Sequence, residues 1–168
     1  MINSILSRAG GRLYMDIREK LGLSYTLGSF SVFGLDPGYN AFYVATTSKN
    51  IPDAKNIILS HIKSLKAEGP TQEEMELAKS DLLGGYFRGL EVNSDVALKA
   101  ALDELYGIGY DDVFKYPEMI KAVSAQEVMR VAKRYFVDSR LNEITIVPAA
   151  SGVPIKASRP PSGGQGPR

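Results

Sequence analysis

The sequence predicts an α+β fold, an antiparallel sheet with helices packed on one face, and three patterns carry that expectation. Apolar residues recur at helical spacing through most of the chain. One stretch alternates on either side of a turn-forming cluster, as a hairpin does, and "NEITIVPA" reads as a closing strand. The order helix, hairpin, several helices, strand is that of a sheet with helices segregated to one side. A sheet of three strands is narrow for so much helix, and the chain opens inside a helix. A further strand is therefore expected upstream of Met1 or from a partner.

Residues 3–21 place Ile5, Leu6, Leu13, Ile17 and Leu21 at helical spacing, with Gly10 and Gly11 weakening or bending the middle and Gly22 as a left-handed stop. "SYTLGSFSVF" then alternates, with Tyr25, Leu27 and Phe33 on one side and Thr26, Phe30 and Val32 on the other. "GLDPGYN" supplies turn chemistry before a second strand, "AFYVATTS". From Pro52 to Ala67 the helical period returns and Gly69-Pro70 ends it. Thr71 with Glu74 forms a capping box for the next helix, which runs towards Gly84-Gly85. "SDVALKAALDELYGIG" gives another helix, and "DDVFKYPEMIKAV" gives one or two short turns around Pro117. Ser124 with Glu127 caps a last helix through Phe136. Residues 1–149 form one domain, and residues 150–168 form a basic Pro/Gly/Ser tail too poor in apolar groups to order itself.

Composition narrows the function. With 168 residues and 44% hydrophobic content, the chain buries roughly two-thirds of its unfolded surface in a single core. Lys156, Arg159 and Arg168 have no acid near them, so the net charge of +1 turns acidic over the rest of the chain. Acids and bases alternate along the helices, as in "DIREK". Nucleic acid is therefore not an expected partner, because duplex binding needs a concentrated basic face. The apolar stretches are too short to span a bilayer, which needs roughly 20 residues. A soluble protein follows, and the absence of cysteine excludes disulfides without separating cytoplasm from periplasm.

Candidate chemistry is sparse. The only histidine, His61 in "LSHIKSL", has no acid one helical turn before it and reads as a helix-edge residue, so the chain binds no metal by itself. "LLGGYFRG" lies towards a helix end, whereas phosphate cradles open helices. Arg18 and Tyr25 stand apart. Seven residues from each other across a helix stop and a strand start, a guanidinium and a phenol can converge as two donors on one carbonyl oxygen. In the plainer alternative Arg18 pairs with Asp16 or Glu19 and Tyr25 caps the sheet edge. Spacing alone favours the plainer alternative.

"GGRLYMDIREKLGLSYTLGSF" resembles a segment of the insulinase/pitrilysin family of zinc metallopeptidases, the inverzincins. The likeness continues through "GYNAFYVATTSKNIPDA", "EGPTQEEMELAKSDLLGGYFRGLE" and "SAQEVMRVAKRYF" to "NEITIVP", in the style of bacterial members similar to mitochondrial processing peptidase. The resemblance implies a metallopeptidase half-domain missing its leading part and placed at the C-terminus of a parent protein. It implies that Arg18 and Tyr25 bind the carbonyl of the scissile peptide. The H-x-x-E-H ligands, the downstream Glu and the glutamate base of the family have no counterpart here. Zinc is therefore expected in a partner half or subunit, with a peptide as substrate and self-association as a further expectation. The alternative within the same family is a catalytically silent structural or assembly domain.

Overall fold

The computed structural model describes residues 1–33 and 38–147. The turn expected at Gly34–Pro37 and the tail expected at 150–168 lie outside the described residues. Helix α1 spans Ile2–Ser7, and a π-helix follows at Tyr14–Lys20. Strands β1 (Thr26–Val32) and β2 (Tyr39–Ala45) pair antiparallel, with Thr26 opposite Ala45 and Val32 opposite Tyr39. Then come α2 (Ile51–Ala67), α3 (Gln72–Gly89), α4 (Asn93–Leu105), α5 (Asp112–Ala122) and α6 (Ala125–Tyr135). This is the expected α+β class, mostly helical with a small antiparallel sheet.

The core joins α1, the π-helix, α2, α3 and α6. Leu6, Ile17 and Leu65 are completely buried in it, each contributing about 1.5–3 kcal/mol. The inner face of the hairpin sends Leu27, Phe42 and Val44 against this core. Ser29 and Ser31 face α1, where Ser31 Oγ accepts from Asn3 Nδ2 at 3.0 Å. The outer face holds Phe30 between Tyr39 and Tyr43, with ring centroids 6.1 and 6.4 Å away. Tyr43 stands opposite Gly28, and its ring lies where a β-carbon at Gly28 would be. The parity of β1 read from the sequence holds within the strand, Leu27 turning inward and Thr26, Phe30 and Val32 outward.

Four expectations need correction. The single bent helix over 3–21 is two pieces, because Gly10 adopts φ +81° and breaks it. Gly11 then fits only because it lacks a side chain, since a β-carbon there would meet Ile5 O at 2.9 Å. The helix read as ending near Gly84-Gly85 continues to Gly89, held by Tyr86 stacking on Tyr116 at 4.6 Å. Around Pro117 there is one helix, not short turns. Pro117 removes a single backbone bond, and the buried Val113, packing and that stack keep α5 whole. Finally, residues 142–147 form no strand, and Ile144 and Ile146 are exposed. A strand needs a neighbour for its ladder, and the sheet among the described residues stops at β1 and β2.

Candidate functional site

The candidate site lies where the π-helix passes into β1. Gly22 at φ +58° turns the chain out of the helix, and Leu23 N–H donates back to Ile17 O at 2.8 Å. Buried Ser24 then ties the corner to the sheet, its Oγ donating to Ala45 O at 2.7 Å and accepting from Thr26 N–H at 3.1 Å. Thr46 Oγ1 donates to Leu23 O at 2.5 Å. These bonds satisfy a turn that would otherwise strand polar backbone groups. They also present Tyr25, 79% exposed, beside the helix face that carries Arg18.

Arg18 and Tyr25 do meet. The Arg18 guanidinium carbon lies 4.1 Å from the centre of the Tyr25 ring and 4.9 Å from that of Tyr14. Such stacking is worth about 0.5–1 kcal/mol at an exposed site. It leaves the in-plane N–H groups free to donate sideways, with the phenol hydroxyl as a further donor at the ring edge. Glu19 Oε1 sits 3.5 Å from Arg18 Nε and takes only one of those directions. Asp16 is not an Arg18 partner. Its carboxylate accepts from Lys20 Nζ at 2.7 Å and from His61 Nε2 at 2.6 Å. The Lys20 bond, helped by His61 and opposed by partial burial, holds the Asp16 carboxyl below the usual aspartate range.

Two further side chains stiffen the region. Arg12 grips Glu74 with both prongs, Nε to Oε1 at 2.6 Å and Nη2 to Oε2 at 2.7 Å, and Nη2 also donates to Gly69 O at 3.0 Å. The same Glu74 caps α3 by accepting from Thr71 N–H at 2.8 Å. Arg12 therefore joins the segment leading into the π-helix to the corner between α2 and α3. Burial pushes the Glu74 carboxyl up, but the bonds from Arg12 and Thr71 outweigh it and hold the group below its ordinary range.

Residues 1–82, which contain the whole of this site, match the family model described as the peptidase M16 inactive domain. Residues 1–82 belong to that family. An uncharacterized zinc protease of Rickettsia bellii is 30% identical over 139 residues, covering 79% of this chain and 32% of the relative. One of Mycobacterium tuberculosis is 27% identical over 140 residues, covering 83% and 32%. The chain spans about a third of the length of the curated relatives it matches. Among solved structures, the inactive peptidase domain from Bordetella parapertussis superposes with TM-score 0.70 at 23% identity, covering 82% of this chain and 75% of that one. The peptidase M16 inactive domain from Pseudomonas fluorescens gives 0.67 at 22% identity, covering 80% and 32%. At that identity the likeness establishes the fold.

The curated relatives are named zinc proteases, and a zinc site needs several His, Cys or carboxylate ligands in close array. Among the described residues no cluster of three or more His, Asp or Glu side chains could hold a metal. His61 and Asp16 make a pair, but Lys20 occupies the other side of the carboxylate where a cation would sit. The described residues do not fit zinc. No helix among the described residues is long and apolar enough to cross a membrane. The sequence singled out Arg18 and Tyr25, which the fold brings into contact, but gave no sign of the tie between Asp16 and His61, 45 residues apart. It marked Glu74 as a cap but not its second role towards Arg12, for which the sequence holds no local signal.

Proposed function

We propose that this chain is the non-zinc-binding part of a longer insulinase/pitrilysin-type protease, with Arg18 and Tyr25 donating to the carbonyl oxygen of the scissile peptide and the domain helping to enclose the substrate. The observation that supports this reading is their convergence, the guanidinium resting 4.1 Å over the ring of an exposed tyrosine. Donors held in place where charge develops stabilise an oxyanion without reorganising at the moment of reaction. Metal ligands and base belong, in this reading, to another half or a partner subunit. Resemblance to bacterial proteins of the mitochondrial processing type makes a peptide the substrate.

A second reading, a catalytically silent assembly domain of the same family, is favoured by the contacts Arg18 already makes within the chain, with two rings and Glu19. Kinetics of the parent protease separate the two. Arg18→Ala or Tyr25→Phe should each lower kcat about 10² to 10³-fold if the pair binds the oxyanion. The double variant should lose far less than the product, because two donors to one oxygen act as a unit. Unchanged turnover in the double variant, with zinc content and melting temperature intact, leaves the assembly reading standing.

A further inference from the structure

The π-helix at Tyr14–Lys20 has two working faces. Asp16 and Lys20, four residues apart, share one, which turns towards His61 of α2. Tyr14 and Arg18, also four apart, share another, which turns towards Tyr25. Residues two apart on a helix do not face each other, so Asp16 and Arg18 point different ways. Whatever fixes Asp16 in rotation fixes Arg18 as well.

The rotation needs fixing because the register is an uncommon one. Leu21 N–H donates to Asp16 O, five residues back, at 3.2 Å, while Gly22 N–H donates to Arg18 O, four back, at the same distance. The π pattern thus gives way to α spacing within one turn. Wide turns of this kind are rare and recur at functional sites. Sliding back to the α pattern would rotate the following residues by about 100°, one residue of a 3.6-residue turn. That slide would carry Arg18 off the Tyr25 ring. Buried Ile17 resists it through packing, but the polar tie across to another element is the bond of 2.6 Å from His61 Nε2 to Asp16, whose side chains are 19% and 29% exposed.

We infer that His61 is a positioning residue, its bond to Asp16 locking the π-helical register and so aiming Arg18 across Tyr25. The inference rests on the proposed oxyanion role only for its catalytic consequence. The geometry itself is testable on this chain without turnover. Protons of Arg18 stacked on an aromatic ring resonate upfield of their random-coil positions, and NMR reads that displacement directly. His61→Ala is expected to collapse it towards random coil, and Asp16→Ala, which cuts the same tie from the other end, is expected to do likewise. His61→Gln, which keeps an N–H donor, should restore it. Lys20→Ala, which leaves the tie intact, should not disturb it. Should His61→Ala fail to fold, Asp16→Ala and His61→Gln decide the matter between them. An upfield displacement that survives in Asp16→Ala, or one that His61→Gln loses, overturns the inference. In the parent protease the same His61→Ala change is expected to lower kcat by up to about 10²-fold with little change in KM. Loss of the displacement with normal turnover would sink the oxyanion reading and leave the positioning role intact.

Discussion

Arg12, its side chain 13% exposed, uses its guanidinium on Glu74, Gly69 and Ser64, which bind three parts of the core layer to one planar group. Breaking such a pair from one side leaves a half-buried charge without its partner. Arg12→Ala is therefore expected to destabilise the chain by about 3 kcal/mol, and Arg12→Lys to recover only part, since an ammonium cannot reproduce a two-pronged grip. Denaturant unfolding measures both. The same pair predicts the response to acid. The folded Glu74 carboxyl and the folded Asp16 carboxyl both lie below their ordinary ranges. A lowered folded pKa means stability that is present in full above the unfolded value, about 4 for these groups, and lost as pH falls through the folded one. The melting temperature should hold from neutral pH to about 5 and drop below about 4. Glu74→Gln should be less stable at neutral pH and show a flatter acid limb. An acid limb identical to that of the unaltered chain would mean that Glu74 does not carry the effect.

Gly11, beside the break in the first helical segment, and Gly22, at its stop, work at the scale of elements, for different reasons. Gly22 adopts φ +58° with nothing within 4 Å of a β-carbon, so Gly22→Ala costs only the left-handed strain, about 1–2 kcal/mol. Gly11 meets backbone, not flexible side chains: Ile5 O at 2.9 Å, Arg8 O at 3.0 Å and the Leu6 carbonyl carbon at 3.0 Å. Backbone cannot swing aside, so Gly11→Ala should cost about 1–3 kcal/mol by overpacking. It should also spread the α1 and π-helix segments apart. Amide exchange is the discriminating measurement. Gly11→Ala should speed exchange in α1 and the π-helix together, while Gly22→Ala should act only at the junction with β1. Equal exchange patterns in the two variants would count against this division.

At the scale of the whole molecule, the two-stranded sheet leaves one edge of β1 and one edge of β2 unpaired among the described residues. Isolated hairpins are marginal, and open edges invite further strands. The outer sheet face adds exposed Phe30, Tyr39 and Tyr43, and the segment beyond α6 adds Ile144 and Ile146, 82% and 87% exposed. Self-association of the isolated chain is the expected outcome, with the apparent mass in sedimentation rising with concentration. A lysine placed on the outer face, Phe30→Lys, should weaken that association without unfolding the core, since Phe30 does not touch it. A chain that stays monomeric at every accessible concentration would refute the expectation. Purified chain is expected to hold no stoichiometric zinc, because His61 is its only histidine and is already tied to Asp16.

Local pattern was enough for the α+β class, the capping boxes at Thr71 and Ser124, the stop at Gly22 and the parity of β1. Each is decided within a few residues, by a side chain reaching its own backbone or by a period that matches one element. The expectation that Arg18 and Tyr25 converge came from motif resemblance, since spacing alone favoured local pairing of Arg18. Tertiary structure decided the rest. Gly10 adopts φ +81° and breaks the first helix, where the sequence allowed only a bend. Pro117 stayed inside α5 because packing on neighbouring helices outweighed one lost backbone bond. The segment "NEITIV" did not become a strand because alternation is only half of what a strand requires. The other half is a ladder partner, which lies on another element and cannot be read from the residues that need it. The same holds for His61 and Asp16, whose contact across 45 residues exists only once the π-helix has been laid against α2.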